Sequence, residues 1–244
     1  MMGLAIGCQG LGHGSHRIGG TRPVGTDRVV PVIASHQHRF IFLNTRKTAG
    51  TSVEIALSKV CGPDDIITEI SPEDEKLRQD AGGRPPQNFE SPPLERKAYN
   101  HMGAKAVRDL VGADTFADYF TFAIERNPWD AVVSLYFWKY KDRYDLPDFE
   151  AYVQEVWIEQ LANNRRLYRI RGQMVLDRVL RYESLYAELG EVWDRLGLPG
   201  RPYLPRAKGN ARPAGHYREL YSPASKQRVA DVFADTIGAF GYEF

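Results

Sequence analysis

Two short stretches of the chain carry the residue types that grip an anion. In the first, residues 44–52 hold two adjacent cations, one glycine and four hydroxyl side chains: Arg46, Lys47, Thr48, Ala49, Gly50, Thr51 and Ser52 follow Asn44 and Thr45. If this stretch turns from a strand into a helix, the first backbone N–H groups of the helix are unpaired and aimed outward. The positive end of the helix dipole lies behind them. Gly50 then lets the backbone come close to a ligand, and the guest best matched is a phosphate or a sulfate. In the second stretch, Arg126 and Ser134 stand eight residues apart with Asn127 and Pro128 between them. A guanidinium at a strand end and a hydroxyl two turns into the following helix can converge on one phosphate from two sides. Taken singly, Arg126 also fits a structural ion pair and Ser134 a hydroxyl bonded to its own helix backbone.

Simple elements suffice to position these groups. Phe40–Leu43 is an apolar run dense enough to be a buried strand of a parallel sheet, and Val53, Ala56, Leu57 and Val60 are spaced for one face of a helix. Residues 119–124 form a second aromatic and β-branched run, Pro128 sits where a helix begins, and 131–140 continues that helix. Ala104–Val111 suits a short helix, 179–182 a third strand, and Leu185–Leu196 a helix stopped by Gly197 and Pro199. A helical pattern with an aromatic stripe over 148–166 is expected to be core, and a final helix spans 223–240. Residues 1–38 show no sustained periodicity and are expected to be a flexible leader. Its His13, His16, His36 and His38 have no nearby cysteine or carboxylate partners and are expected to be solvated. Residues 71–97 hold five prolines and a Gly-Gly pair, so a long loop is expected there, bordering the site.

The 244 residues suffice for one α/β domain, taken as 39–244. A net charge of +1 excludes a global field for nucleic acid or an anionic membrane surface, so attraction for an anion must be local. Two cysteines exclude a disulfide framework and fit a reducing compartment. No apolar run approaches the ~20 residues of a spanning helix. The glycine-broken start lacks a basic n-region, so a cytoplasmic protein without a membrane span is expected. One local basic cluster does occur: residues 201–218 contain Arg201, Arg206, Lys208, Arg212 and Arg218 and no carboxylate, a loop suited to closing over a bound anion.

The first stretch is not a standard nucleotide-triphosphate loop, because Lys47 precedes Gly50 and Asn44 stands where the first glycine is required. The order Lys-Thr-Ala-Gly-Thr-Ser instead resembles the 5′-phosphosulfate loop of sulfotransferases, commonly written PKTGGTS. Arg46 replaces its proline and Ala49 its first glycine. ERNPWDAVVSLYFW resembles the 3′-phosphate motif of the same proteins, RNPxDxxVSxY. Softer likenesses are YNHMGAKAVRDLVG to HxTAxxIRxxLG, LRYESL with RLGL to RYExL…LGL, and the ending FGYEF. Over 39–244 the chain thus resembles a family 2-type sulfotransferase, the group that includes carbohydrate sulfotransferases and many bacterial relatives.

The resemblance implies an α/β fold of the P-loop NTPase-like kind, a three-layer sandwich with a central, mostly parallel sheet flanked by helices. It implies 3′-phosphoadenosine 5′-phosphosulfate as donor and a hydroxyl-bearing acceptor, saccharides among the candidates. It also makes Lys208, Gly209 and Arg212 the late-loop residues over the 3′-phosphate. In such a transfer negative charge grows on the bridging oxygen to the 5′-phosphate, and Lys47 is the cation expected to stabilise it, with Arg46 assisting. Sulfuryl carries less charge than phosphoryl, so no metal is expected. His101, the one histidine between the two stretches, is the expected general base. Glu54 is its rival, with a solvated first-turn carboxylate as its plainer role. Glu125 is expected to form a local ion pair beside Arg126, and His216 to lie in the late loop. Two other classes stay open: a kinase or NTPase, which would need the lysine after the glycine, and a non-catalytic nucleotide- or glycan-binding module.

Overall fold

The computed structural model describes residues 32–89, 102–205, 207 and 215–244. Seven strands and eleven α-helices follow one another along these residues. They are β1 (Val32–Ser35), β2 (Phe40–Leu43), α1 (Gly50–Ser58), β3 (Ile66–Ile67), α2 (Pro72–Asp80), α3 (Ala104–Val111), α4 (Ala113–Asp118), β4 (Phe120–Glu125) and α5 (Pro128–Lys139). Then come α6 (Phe149–Val153), α7 (Trp157–Ala162), α8 (Asn164–Leu167), β5 (Arg169–Ile170), β6 (Gln173–Met174), β7 (Arg178–Arg181), α9 (Leu185–Leu196), α10 (Pro223–Val232) and α11 (Ala234–Phe240).

Five strands make a mixed sheet in the order β3-β1-β2-β4-β7. The strands that lead into the two anion-type stretches are parallel neighbours, with Phe40 opposite Phe120 and Leu43 opposite Ala123, and β7 continues the parallel set beyond β4. β1 and β3 extend the other side antiparallel, so the sheet is parallel at β2, β4 and β7 and antiparallel beyond β2. Alternation along the strands divides the core between two faces. Phe40, Phe42, Phe122, Ile124 and Leu180 pack with α1 and α9 through Val53, Leu57, Leu189 and Trp193. Ile41, Leu43 and Ala123 pack with α3 and α4 through Val107, Leu110 and Phe116. Covered on both faces, β2 and β4 can be apolar throughout, and every residue of each is buried. A third cluster joins α5, α6, α7 and α10 around Trp129, Tyr136, Tyr152, Ile158 and Val229.

Several expectations change. Residues 1–38 are not wholly a leader, because Val32–Ser35 is a fully buried strand paired with β2 through a turn in which Arg39 takes φ 56. Three apolar residues and a serine are too short a run to show a period. His36 and His38 lie in that turn and are not free of structure: His36 Nδ1 is 2.9 Å from the Tyr119 hydroxyl and His38 Nε2 is 3.1 Å from the Val60 carbonyl. The 71–97 stretch opens with a helix, Pro72–Asp80. Its proline is harmless in the first turn, where its missing N–H has no helix partner to lose. Ser71 accepts from the Asp74 N–H as N-cap, and acidic residues fill the first turn. The helical pattern of 148–166 is three short helices, and 223–240 breaks at Phe233 into two.

Candidate functional site

The carboxyl ends of β2, β4 and β7 lie side by side, and each opens into a segment that contributes to one site. After β2, Lys47 and Ala49 both adopt left-handed backbone conformations, φ 64 and 63, while Thr48 between them does not. Such alternation turns successive N–H groups toward one side and makes a concavity for an anion. Without a glycine at either position, the conformation costs roughly 1–2 kcal/mol per residue and persists only because neighbours hold it. Helix α1 then starts at Gly50 with Ala49 as an N-cap that offers no side-chain bond, although the Ser52 N–H already donates to the Ala49 carbonyl at 3.0 Å.

Side chains fix the loop from outside. Thr45 Oγ1 donates to the Ile124 carbonyl, stitching the loop to β4, and is 2.9 Å from Thr48 Oγ1. Thr48 Oγ1 in turn donates to the Thr45 carbonyl at 3.0 Å, so this buried hydroxyl is used internally and only the backbone of Thr48 is available to a ligand. Gly50 also differs from its expected role. A Cβ there would lie 1.7 Å from Asn44 Oδ1, so the glycine makes room for the Asn44 side chain rather than for a guest. Asn44 Nδ2 donates to Glu54 Oε1 at 2.8 Å, and Glu54 is fully buried rather than solvated. Ser52 is buried and Thr51 half-buried on α1. The Arg46 guanidinium, half-buried, has no hydrogen-bond or carboxylate partner among the described residues, and burial lowers its pKa. A desolvated cation in that situation gains from a bound anion.

After β4, Arg126 reaches back to the loop. Its Nη1 donates to the Lys47 carbonyl at 3.0 Å, its Nε and Nη2 both bond Asp130 Oδ2 at 2.8 and 2.6 Å, and its guanidinium lies 3.9 Å from the Tyr182 ring centroid. Lys47 places its ammonium 5.0 Å from the Trp138 ring of α5, and Ser134 is half-buried one turn before Trp138 on the same helix. The two stretches therefore form one structure. The expected ion pair of Glu125 with Arg126 is replaced: Asp130 takes the guanidinium. The carboxylate of Glu125 accepts from the Arg126 N–H at 3.0 Å and from the Tyr168 hydroxyl at 2.8 Å. Desolvation raises the Glu125 pKa to about 7 against those two bonds, and the charge of Glu183 adds to the rise.

Residues outside both stretches complete the arrangement. Glu183, after β7, accepts from the Asn127 N–H at 2.7 Å, and Asn127 caps α5 through the Trp129 N–H and donates to the Glu243 carbonyl at 2.7 Å. The FGYEF ending is thereby docked on the second stretch. Asn164, at the start of α8, accepts from the Arg46 N–H at 3.0 Å and donates to the Arg46 carbonyl at 2.9 Å. Tyr182, Glu183 and Asn164 were not legible as site residues. The first two read only as strand and turn, and Asn164 lies 118 residues from its partner.

His101, Lys208, Gly209 and Arg212 lie outside the described residues. Met102 is buried and Gly103 packs against the Arg166–Leu167 backbone, a Cβ at Gly103 falling 3.5 Å from the Arg166 carbonyl. His216 accepts from the Arg218 N–H at 3.3 Å and stacks on Tyr217, a turn-capping role.

No family model matches the chain. Over 106 residues it is 32% identical to a protein of Archaeoglobus fulgidus, an alignment that covers 40% of this chain and 84% of that protein. The chain belongs to the family of that protein. The relative bears the name "Uncharacterized protein", which brings no activity with it. Among the described residues no helix is long and apolar enough to cross a membrane.

Proposed function

We propose that the chain is a sulfotransferase that binds 3′-phosphoadenosine 5′-phosphosulfate and transfers its sulfuryl group to an acceptor hydroxyl, saccharide hydroxyls being among the candidates. The observation that carries this reading is the 3.0 Å bond from Arg126 to the Lys47 carbonyl, which joins the phosphosulfate-type loop to the 3′-phosphate-type stretch at one sheet edge. Ligands of open α/β sheets bind at such an edge, and a helix-flanked sheet with this loop after a central strand is what a P-loop NTPase-like sandwich requires.

The residues present fit the donor. The left-handed alternation at Lys47 and Ala49, the start of α1 without a side-chain cap and the Arg46 guanidinium, which has no partner among the described residues, suit the 5′ end, and Ser134 with the remaining N–H groups of Arg126 suits the 3′-phosphate. The late-loop residues Lys208, Gly209 and Arg212 are proposed to close over that phosphate. When bound, the donor supplies a sulfuryl group whose S–O bond to the 5′-phosphate breaks as the acceptor oxygen bonds to sulfur. Lys47 places a cation where the leaving oxygen gains charge, and Arg46 and the loop N–H groups share that load. His101 takes the acceptor proton. In support, Gly103, two residues on, packs on the α8 segment that holds Arg46. Glu54 is a poor base, being fully buried and bonded to Asn44.

Calorimetric titration tests the reading. Adenosine 3′,5′-bisphosphate should bind one per chain and more tightly than ATP with magnesium; preference for magnesium ATP would point to a kinase or NTPase and end it. His101→Ala should keep the bisphosphate affinity and lose turnover. Equal sulfate transfer by both forms would remove His101 from its role.

A further inference from the structure

Three consecutive carbonyls of the loop are each held by a side-chain donor: Thr45 by Thr48 Oγ1 at 3.0 Å, Arg46 by Asn164 Nδ2 at 2.9 Å, and Lys47 by Arg126 Nη1 at 3.0 Å. A trans peptide is planar, with its C=O and the next N–H pointing opposite ways. Anchoring the Arg46 carbonyl therefore fixes the direction of the Lys47 N–H in the same peptide unit, and anchoring the Lys47 carbonyl fixes that of the Thr48 N–H. Two of the three anchors, Thr48 and Arg126, belong to the stretches already assigned. The third is Asn164, which is 3% exposed and engages both the N–H and the C=O of Arg46.

The same short segment makes three further contacts, one of them with the end of β4 beside Arg126. Tyr168 donates to Glu125 beside Arg126, Gly103 packs on the Arg166–Leu167 backbone, and Arg165 pairs with Asp235 of α11 at 3.2 Å. We infer that Asn164 is a positioning residue, whose amide sets the peptide planes around Arg46 and Lys47 so that the loop N–H groups face the anion. This rests on reading the loop as an anion cradle. It requires that Asn164 act through the loop backbone and touch no ligand. A side chain that merely glued α8 to the sheet would alter stability and leave anion affinity alone.

Asn164→Leu keeps the approximate volume and removes both bonds. Affinity for adenosine 3′,5′-bisphosphate and for inorganic pyrophosphate is measured by calorimetry at 15 °C, with thermal unfolding recorded alongside. Asn164→Leu should lose roughly ten- to a hundredfold in affinity for both probes, the worth of one charge-assisted hydrogen bond. Asn164→Gln, which keeps the amide on a longer arm, should recover part of the loss. Leu167→Ala removes buried apolar contacts on the same helix without touching Arg46, so it should lower the melting temperature and stay within twofold in affinity. In Asn164→Leu the backbone amide resonances of Lys47 and Thr48 should also lose their shift on pyrophosphate addition. Wild-type affinity in folded Asn164→Leu, or an equal loss in Leu167→Ala, would overturn the inference and leave the functional reading standing. Wild-type chain that binds pyrophosphate but not the bisphosphate would end the nucleotide reading while Asn164 is still judged on pyrophosphate. Binding of neither probe would overturn both.

Discussion

Glu125 offers a test of the site's electrostatics that needs no ligand. Its carboxyl is buried at the end of β4, and its pKa rises from an ordinary 4.5 to about 7, chiefly by desolvation. An acid whose pKa is raised on folding keeps its proton in the native chain over a range where the unfolded chain has released it. Its favourable contribution is therefore complete below the unfolded value and is lost as pH rises through the folded one. At about 1.4 kcal/mol per pH unit, the whole loss amounts to roughly 3 kcal/mol, of which about 2.5 kcal/mol falls between pH 5 and pH 8. Glu125→Gln holds no titrating proton, and the Tyr168 hydroxyl can turn to accept from the new amide. Urea unfolding of both chains at pH 5, 6, 7 and 8 isolates the effect, since all other groups cancel in the difference. The variant should gain about 2.5 kcal/mol relative to wild type across that range. Parallel stability curves, differing by a constant within about 0.5 kcal/mol, would refute a raised Glu125 pKa and the dry environment inferred for it.

Four further outcomes follow from local geometry. Gly50→Ala forces Cβ onto the Asn44 amide and should cost about 2 kcal/mol or more in denaturant unfolding, while Ala49→Gly relieves a left-handed alanine and should stabilise by about 0.5–1 kcal/mol. Cys61 is 4% exposed and its thiol donates to the Leu57 carbonyl at 3.3 Å; burial, with Asp65 adding, raises its pKa. It should therefore stay unalkylated in native protein by peptide mapping and react once urea unfolds the chain. Asp65 accepts from the Ser35 hydroxyl and the N–H groups of His36, Gln37 and Gly62, so Asp65→Asn turns an amide N–H₂ against donors and should destabilise by about 2–3 kcal/mol.

What could be read along the chain was what short-range physics controls. The apolar run of Phe40–Leu43, the proline at the start of α5 and the crowding of cations and hydroxyls in 44–52 each declare themselves within a dozen residues. The strand–loop–helix units after β2 and β4 followed from them, while the reach of Arg126 back to the Lys47 carbonyl is a tertiary contact that only the structure shows. The same reasoning missed α2, although Pro72 in the first turn after an N-capping Ser71 obeys the rule that marked Pro128. Proline count outweighed proline position there. β1 was hidden because a four-residue buried strand has no period to show. Asn164, Tyr182 and Glu183 were hidden for a different reason. An asparagine in a polar stretch has no local signal that it will meet Arg46, and a tyrosine at a strand end looks the same whether or not an arginine stacks on it. Their roles arise from tertiary placement, which brings the ends of three strands to one edge.

The claim that one bisphosphorylated nucleoside bridges the Lys47 loop and the Arg126–Ser134 stretch is tested most directly by comparing two nucleotides on three chains. Adenosine 3′,5′-bisphosphate and adenosine 5′-phosphate are titrated into wild type, Lys47→Ala and Ser134→Ala. Wild type should prefer the bisphosphate by at least about tenfold, Ser134→Ala should lose most of that preference, and Lys47→Ala should weaken both nucleotides alike. Equal affinity of wild type for the two nucleotides, or an undiminished preference in Ser134→Ala, would contradict the bridging of the two stretches by a single ligand.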